Sequence, residues 1–406
     1  MAGKKQIDKV NPGVATFVKS ILRLVFMRLF NVKLDLPKEI YDLKPPYVVL
    51  PNHQGFWDPF IAASYLKHSV YYITSDAVFR YPLFGFLLKF LGAIPKTKSQ
   101  SDIDALKHIF AMRDKGRNIG IFPEGQRNWN GTTLPLIKST SKLVRMLKLP
   151  VVTVVFKGGF FSHPRWGTST RKGELLVEYR LLFRGDEVGS MKVSDIHSKL
   201  TEALDFDEIE YQKQKQIEWN GNSRAENIEQ LFFVCPSCGS FAGFRSEKNQ
   251  FSCRDCGKLW EIDKYQVISS SESSRFDNIR DWDAWQLEQM HKLIDEKFGT
   301  DQILYQADNV VFHTGFKSDQ PKFLSKGSLK LTSEAVVILN SAGEELEWMP
   351  IDKVSGITIQ NREVFDIYYN NALYITRDPG KHFNAYRFWR AIDYLQREKI
   401  GMNLPD

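Results

Sequence analysis

The sequence predicts an α/β domain with a mostly parallel central sheet, followed by a small cysteine-containing module and an α+β domain. Three observations lead to this fold class. Between residues 46 and 205, short β-branched apolar runs alternate with segments of helical periodicity, which is the pattern of a parallel sheet covered by helices. Four cysteines cluster at 235–256, and from residue 301 short strands precede one terminal helix. A chain of 406 residues is long enough for two or three such domains.

Each element follows from a local pattern. Runs dominated by Val, Ile, Leu, Tyr and Phe predict strands, and apolar residues spaced three or four apart predict helices. The strands predicted in the first domain are 47–50, 70–74, 118–122, 151–156 and 175–183. The helices predicted in the chain are 59–66, 103–113, 138–147, 277–298 and 383–398.

Changes in composition divide the chain into six parts. They are an N-terminal amphipathic membrane-surface segment (1–44), the α/β domain (45–205), a polar connector (206–230), the cysteine module (231–263), a linker with a helix (264–300) and the α+β domain (301–406). The charge is distributed unevenly between them. Residues 1–200 hold 31 Lys and Arg against 15 Asp and Glu, whereas residues 201–406 hold 24 against 33. The basic half is therefore expected to face an anionic membrane surface, a phosphorylated substrate or nucleic acid.

The segment 14–31 predicts a cationic amphipathic helix. At 100° per residue its apolar arc consists of Val14, Phe17, Val18, Ile21, Leu22, Val25 and Leu29. Such a helix suits the plane of a membrane surface, and the alternative is a helix packed on the core of the protein. Neither a secretory signal nor a charge-free stretch of about 18 apolar residues is visible, so we expect no conventional spanning helix.

His53 and Asp58 stand five residues apart in PNHQGFWDP. Five residues of helix correspond to about 500° of rotation, so a turn rather than a helix must bring the two side chains together. Asp58-Pro59 is a typical helix start, with the aspartate as N-cap. A carboxylate that binds one ring nitrogen orients the imidazole, and the other nitrogen can then accept a proton. The pair predicts general-base catalysis on a substrate hydroxyl, although such spacing is often incidental.

Three further loops carry residues suited to binding an anion or to lining a site. PEGQRNWNG follows a predicted strand and places Glu124, Gly125 and Arg127 at a carboxyl end of the sheet, where α/β folds bind ligands. GAIPKTKSQSD offers Lys96 and Lys98 before a helix. LPVVTVVFKGG is a buried strand that ends in Lys-Gly-Gly. Arginine in particular can bind a phosphate through two parallel hydrogen bonds.

In this order, the four blocks resemble the glycerolipid acyltransferase family, whose best-known members are the 1-acylglycerol-3-phosphate acyltransferases. The residues matching its motifs Asn-His-four residues-Asp and Glu-Gly-x-Arg are Asn52, His53, Asp58, Glu124, Gly125 and Arg127. The resemblance covers about residues 45–205. It implies acyl transfer from a thioester, acyl-CoA or acyl-carrier protein, to a hydroxyl of a lysolipid or glycerol phosphate. His53 would be the base, Asp58 would orient it, and the phosphate would be bound by Lys96, Lys98, Glu124, Gly125 and Arg127.

The same resemblance implies a membrane lipid acceptor, and with it a cytoplasmic protein bound peripherally to the inner face of a membrane. Four positions depart from the usual family pattern, namely Gly55, Lys98, Gln126 and Thr153. They leave the acceptor open between a lysophosphatidic acid, another lysolipid and an unrelated hydroxyl compound. The competing interpretation is a non-catalytic lipid-binding or scaffold protein built on a degenerate acyltransferase domain, although all the motif residues are present.

Two Cys-x-x-Cys pairs, each followed by glycine, predict a zinc ribbon. The four thiolates of Cys235, Cys238, Cys253 and Cys256 would fill the coordination sphere of one structural Zn²⁺. Zinc ribbons often bind nucleic acid, but this module lies in the acidic half and lacks a dense basic stripe, so we expect a structural or protein-contact role. The strands after residue 301 and their closing helix predict a fold of the pleckstrin-homology (PH) type.

Overall fold

The computed structural model describes residues 12–80, 93–96, 103–316, 320–360, 362–378 and 383–402, without the side chains of 12–16, 76 and 104. The helices in these ranges are α1 (Pro12–Phe30), α2 (Lys38–Tyr41), α3 (Asp58–Tyr65), α4 (Ile103–Asp114), α5 (Lys138–Leu147), α6 (Gly159–Ser162), α7 (Gly185–Val188), α8 (Val193–Leu204), α9 (Glu208–Lys215), α10 (Ile279–Lys297) and α11 (Ala385–Tyr394). Single turns of other helical types are Asp76–Arg80, Ile228–Gln230, Ile351–Lys353 and Leu395–Lys399.

The strands of these ranges form three sheets. The first contains β1 (Val32–Asp35), β2 (Val48–Pro51), β3 (Val70–Ser75), β4 (Ile94–Lys96), β5 (Asn118–Gly120), β6 (Val151–Lys157) and β7 (Leu175–Phe183). The second contains β8 (Phe244–Glu247), β9 (Gln250–Cys253), β10 (Leu259–Ile262) and β11 (Ile268–Ser269). The third contains β12 (Tyr305–Gly315), β13 (Lys322–Leu331), β14 (Ala335–Asn340), β15 (Glu345–Pro350), β16 (Val354–Gln360), β17 (Val364–Tyr369) and β18 (Ala372–Arg377).

The first sheet has the order β1-β7-β6-β2-β5-β3-β4 and is mostly parallel, which confirms the predicted α/β class. Strand β7 runs antiparallel to β6, and β1 runs parallel to β7 at the edge. Residues 1–44 were predicted as a separate membrane-surface segment, but β1 makes their C-terminal part an edge of this sheet. The short run VKLD gives no alternation long enough to reveal a strand in the sequence.

Helices cover both faces of this sheet because its strands are apolar on both sides. On β2, Val49 packs into a core with α1 and α3, whereas Val48 and Leu50 pack into the opposite core with α4, α5 and α8. Helix α5 shows how the spacing of residues in the sequence produces this packing. Its buried residues Thr140, Leu143, Val144 and Leu147 repeat at three- and four-residue intervals, so one stripe faces the sheet. Each fully buried Leu or Val stabilises the fold by about 1.5–3 kcal/mol.

The second half of the chain consists of the two antiparallel sheets and helices α10 and α11. The four-stranded sheet has the order β11-β10-β9-β8, and the seven-stranded sheet has the order β15-β14-β13-β12-β18-β17-β16. A single hydrophobic core joins both sheets to the α/β domain, with Trp129 and Phe160 on one side and Trp282 and Phe388 on the other. The modules therefore pack as one body rather than as separate units on linkers.

The segment 206–230 is more than the polar connector that its composition predicts. It contains α9 and the turn Ile228–Gln230, and Glu208, Trp219 and Ile228 are fully buried. The sequence EIEYQKQK gives no sign of this burial because it is mostly charged. Most of these charged residues lie on the exposed side of α9, while Glu208 points inward. Among the described residues, no helix has both the length and the apolar character required to cross a membrane.

Candidate active site

The candidate residues meet at one edge of the first sheet. Strands β2, β5 and β6 are parallel neighbours, so their carboxyl ends lie side by side. The His53 loop leaves β2, the loop with Glu124 and Arg127 leaves β5, and Gly158 leaves β6. Lys96 is the last residue of β4. Lys98, predicted to bind phosphate, lies outside the described residues.

His53 and Asp58 form the predicted pair. The Nδ1 atom of His53 lies 3.0 Å from Oδ2 of Asp58, and the aspartate is 3% exposed. The predicted N-cap role of Asp58 is wrong, because Asp58 is the first residue of α3 and its cap position is occupied by Trp57. The carboxylate turns back to the loop instead, where Oδ2 accepts the backbone N–H groups of Gln54 at 2.7 Å and Gly55 at 2.8 Å.

These contacts define the protonation of the imidazole. A carboxylate can only accept hydrogen bonds, so the neutral ring of His53 carries its proton on Nδ1, and Nε2 is the basic nitrogen. The ring also stacks on Phe122, with centroids 4.0 Å apart. The arrangement fixes the orientation of the ring and makes Nε2 suited to general-base chemistry.

Glu124, which the sequence predicts to bind a phosphate, accepts two backbone hydrogen bonds in the structure. Its Oε1 accepts the backbone N–H of His53 at 2.5 Å, and Oε2 accepts that of Leu134 at 2.8 Å. Burial raises the pKa of Glu124 to about 8, while those two hydrogen bonds act in the opposite direction. Glu124 therefore holds the His53 loop in place, and a second contact between the loops comes from Asn128 N–H to the His53 carbonyl at 3.0 Å.

The backbone conformation at position 125 requires a glycine. Its φ of +72° lies in the left-handed region, and a Cβ atom there would come within 2.6 Å of Cδ1 of Ile137. Any other residue would therefore be both strained and obstructed. The glycine lets the chain reverse directly between Glu124 and Arg127.

Arg127 is half-buried beside the pair and lines the same cavity as His53. Burial lowers its pKa to about 10, and the Asp58 charge acts in the opposite direction. The guanidinium thus stays cationic near neutral pH and is suited to an anionic group of a substrate. Its carbonyl accepts a 2.6 Å hydrogen bond from Nη1 of Arg165, which fixes the backbone of the loop.

The cavity has a volume of about 1290 Å³. Its wall includes His53, Lys96 and Arg127, together with apolar residues of α1, α3 and α5. A cavity of this size holds a molecule as large as a lipid fragment. Residues 355–360 and side chains of α11 form another part of the wall.

Sequence reasoning missed three residues that hold the site together. Gln54 accepts the Phe160 N–H at 3.2 Å through Oε1, and Glu208 accepts the Gly158 N–H at 2.9 Å, so both fix the turn after β6. Burial raises the pKa of Glu208 to about 8. Arg165 is 4% exposed and bridges to the third sheet, where its Nη2 donates to the Ile359 carbonyl at 2.8 Å. Glu208 and Arg165 lie in stretches without a recognisable motif, which is why only coordinates identify them.

The four cysteines converge on one point. All four Sγ atoms lie within 4.8 Å of one another, and both the Cys235–Cys256 and the Cys238–Cys253 distances are 3.8 Å. Four sulfurs bound tetrahedrally at about 2.3 Å from Zn²⁺ would be about 3.8 Å apart, so the donor set fits this ion. Gly239 and Gly257 follow the two pairs with φ of +73° and +72°, as the tight turns require.

Residues 31–157 match the protein-family model described as Acyltransferase. The match supports the resemblance to acyltransferases over this part of the chain, which we call the acyltransferase segment. It includes both motifs, from the His53 loop to the end of β6.

Curated relatives support the same assignment. The chloroplastic 1-acyl-sn-glycerol-3-phosphate acyltransferase BAT2 of Brassica napus is 30% identical over 115 residues, which are 28% of this chain and 33% of that protein. The 1-acyl-sn-glycerol-3-phosphate acyltransferase of Saccharomyces cerevisiae is 24% identical over 167 residues, 40% of this chain and 55% of that protein. The chain thus spans between about a third and about half of the length of these relatives.

A solved structure is also similar, that of the 1-acyl-sn-glycerophosphate acyltransferase PlsC from Thermotoga maritima. The likeness covers 51% of this chain and 82% of that chain, at 16% identity and a TM-score of 0.43.

Proposed function

We propose that this chain is an O-acyltransferase that moves a fatty acyl group from acyl-CoA or acyl-carrier protein to a hydroxyl of a lysophospholipid or glycerol-phosphate acceptor. The observation that carries the proposal is the His53–Asp58 pair in the wall of a large cavity, with Nδ1 and Oδ2 3.0 Å apart. The acceptor class is supported by the activities for which the curated relatives are named and by the cationic Arg127 beside the pair.

In the proposed reaction, Nε2 of His53 takes the proton of the acceptor hydroxyl as its oxygen attacks the thioester carbonyl. A new C–O bond forms, the C–S bond breaks, and the departing thiolate takes the proton back from Nε2. Asp58 stabilises the imidazolium that forms in between and keeps Nδ1 protonated. The products are an ester and a thiol, and His53 returns to its neutral state.

We also propose that α1 lies on the membrane that holds the acceptor. Two of its cationic residues face inward, since Lys19 Nζ donates to the Leu66 carbonyl at 3.0 Å and Arg23 Nε donates to the Ser64 carbonyl at 2.6 Å, at the C-terminal end of α3, while Arg28 is exposed. Part of its apolar surface faces outward, where Phe17 and Leu24 are 67% and 71% exposed, whereas Phe26 and Phe30 are buried in the core. An exposed apolar helix face in a basic part of the chain suits an anionic membrane surface.

Zinc is proposed as a structural ion. Cys235, Cys238, Cys253 and Cys256 would hold it, and as four protein ligands they leave no coordination position for a substrate. When bound, the ion cross-links the two Cys-x-x-Cys turns. The module around it is proposed as a zinc ribbon, and the seven-stranded sheet with its closing helix supports the prediction of a PH-type fold.

A thiol-release assay tests the proposed function. Purified protein is incubated with a thioester donor, either acyl-CoA or acylated carrier protein. The acceptors are a panel of lysolipids in vesicles, and glycerol 3-phosphate in solution. Thiol release is compared between wild type and His53→Gln. We expect release that depends on an acceptor, and a loss of at least a hundred-fold in the variant. His197→Gln, a histidine on α8 outside the cavity lining, serves as the matched control and should keep full activity. Equal rates for wild type and His53→Gln would favour the scaffold interpretation.

A further inference from the structure

The loop that carries Arg127 is held by residues that follow the acyltransferase segment, which ends at residue 157. Arg165, between α6 and β7, donates from Nη1 to the Arg127 carbonyl at 2.6 Å and to Oε1 of Gln126 at 3.4 Å. On the same loop, Nδ2 of Asn130 donates to Asp283 of α10 at 2.9 Å. The position of Arg127 in the site therefore depends on contacts from outside the segment.

Arg165 also joins this loop to the third sheet. Its Nη2 donates to the Ile359 carbonyl at 2.8 Å. Ile359 lies on β16, which is an edge strand of that sheet, and an edge strand offers carbonyls that no neighbouring strand uses. The planar guanidinium thus binds two backbone carbonyls at a fixed separation, one on the site loop and one on β16. A shift of β16 would therefore move the backbone of Arg127.

The Arg165 guanidinium is buried, and its acceptors are neutral. Arg165 is 4% exposed, and the groups that it donates to are two backbone carbonyls and one side-chain amide. Its Cζ lies 4.5 Å from the centre of the Trp129 ring, a cation–π contact with the same loop. A buried charge without a counter-ion costs stability, and an apolar side chain of similar volume is often at least as stable. Stability therefore does not explain an arginine here, whereas fixing the loop does.

We propose that Arg165 is a positioning residue for the acyl acceptor. By fixing the Arg127 loop against β16, it holds the Arg127 guanidinium where the anionic head of the acceptor binds. The inference rests on the proposed function, in which Arg127 contacts that head. It adds a residue outside the acyltransferase segment and gives the third sheet a role in acceptor binding. Arg165 acts through Arg127 and makes no contact of its own with the substrate.

A double-mutant cycle of equilibrium binding tests the proposal. A 2-deoxy lysophosphatidate, which lacks the reacting hydroxyl, is titrated by calorimetry below its micelle concentration. The proteins are wild type, Arg165→Met, Arg127→Gln and the double variant. We expect the Kd to rise about ten-fold in each single variant. The double variant should bind no more weakly than Arg127→Gln, because a residue that acts through Arg127 has nothing left to position.

Two further variants separate the position of the loop from charge and from burial. Arg165→Lys keeps the charge, but an ammonium group lacks the planar fork that binds both carbonyls, so binding should weaken about as much as in Arg165→Met. Arg171→Met is the matched control and should bind like wild type. Arg171 is also buried, lies 5.0 Å from the Trp166 ring and donates to one carbonyl and one amide, but it is outside the cavity lining.

Steady-state kinetics give a second readout. With a lysophosphatidic acid as acceptor, Arg165→Met should raise the KM about ten-fold and change the kcat less than about two-fold. With a neutral monoacylglycerol, the variant should match wild type, because Arg127 then has no anionic head to bind. Thermal melting shows that each variant is folded, and should Arg165→Met fail to fold, Arg165→Lys decides.

The outcomes distinguish this inference from the catalytic proposal. Weaker binding in Arg165→Met that disappears in the Arg127→Gln background supports it, even if wild type transfers no acyl group. Additive losses in the double variant, wild-type binding by Arg165→Lys, or an equal loss in Arg171→Met overturns it and leaves the role of His53 untouched. Unchanged binding in Arg127→Gln, or no binding by wild type, overturns it together with the proposed role of Arg127.

Discussion

At the scale of the residue, Asp58 is the central group of the site, because its Oδ2 meets His53 Nδ1 and two backbone N–H groups at once. We expect Asp58→Asn to reduce kcat about 10²- to 10⁴-fold, because the amide can donate to Nδ1 and so favours the wrong tautomer. The KM for the donor should change little. Asp42→Asn, an exposed aspartate paired with Lys67, is the control and should match wild type. A kcat within two-fold of wild type in Asp58→Asn would show that the pair does not act in catalysis.

Glu124 makes stability depend on pH. Its pKa in the folded state, about 8, is raised by burial above the ordinary value of 4.5, so folding favours its protonated form. The stabilisation is complete below about pH 4.5 and is lost as the pH rises through about 8, by at most about 1.4 kcal/mol per pH unit. Glu208 contributes with the same sign.

Denaturant unfolding of wild type and Glu124→Gln between pH 5 and 8 checks this expectation. The difference in the free energy of unfolding, wild type minus variant, should decrease as the pH rises, since glutamine does not titrate. The variant also loses one hydrogen bond, which changes its free energy of unfolding by the same amount at every pH. This loss therefore does not alter how the difference between the two proteins varies with pH. A difference that stays constant with pH, or increases, would contradict the buried position of Glu124.

Individual site residues were predictable from the sequence where a motif fixed their spacing. His53, Asp58 and the four cysteines were predicted as groups that act together, and the structure brings each group together. The role of Glu124 was not predictable, because whether a carboxylate meets a ligand or a backbone amide depends on the path of two loops. Arg165 comes from a distant part of the chain, and no local pattern links it to His53.

At the scale of the element, α1 directs Lys19 and Arg23 inward while Phe17 and Leu24 are exposed. We expect Phe17→Asn to weaken binding to anionic vesicles about ten-fold or more, because a buried phenylalanine contributes about 1.5–3 kcal/mol. Phe323→Asn removes a phenylalanine of similar exposure, 64% against 67%, from the third sheet and should leave binding unchanged. Vesicle co-sedimentation measures both. Equal binding by Phe17→Asn and wild type would mean that this face does not meet the membrane.

The predictability of elements follows the strength of their periodicity. The predicted helix 138–147 and strand 175–183 agree with α5 and β7, whose apolar patterns are long and regular. Short β1 and the helix α9 were missed, since four residues show no period and a mostly charged segment gives no apolar stripe. The sequence of α1 predicted an amphipathic helix, but not that its cationic side would bind the end of α3.

At the scale of the whole molecule, the cysteine cluster is connected to the site through α10. Next to Cys235, the Val234 carbonyl accepts a hydrogen bond from Trp282 at 3.2 Å. One residue further along α10, Asp283 accepts a hydrogen bond from Asn130 at 2.9 Å, on the loop that carries Arg127. A loosened cluster should therefore loosen the loop.

Replacing one cysteine ligand tests whether bound zinc stabilises the fold. We expect Cys238→Ser to lose most of its bound zinc, which should be one ion per chain in wild type, and to lower the Tm by about 10 °C or more. Ser237→Ala changes an exposed neighbour on the same turn and should alter neither quantity. Metal content by emission spectrometry and thermal melting provide the readouts. A zinc-free variant with an unchanged Tm would show that the ion does not support the fold.

The most direct measurement follows a labelled acyl chain from the thioester into the product. Wild type and His53→Gln are incubated with labelled acyl-CoA and a lysophosphatidic acid in vesicles, and labelled ester and released thiol are counted together. We expect one labelled ester per released thiol with wild type, and both quantities reduced at least a hundred-fold in His53→Gln. Thiol release without labelled ester, or equal transfer by both proteins, would contradict general-base catalysis of acyl transfer by His53.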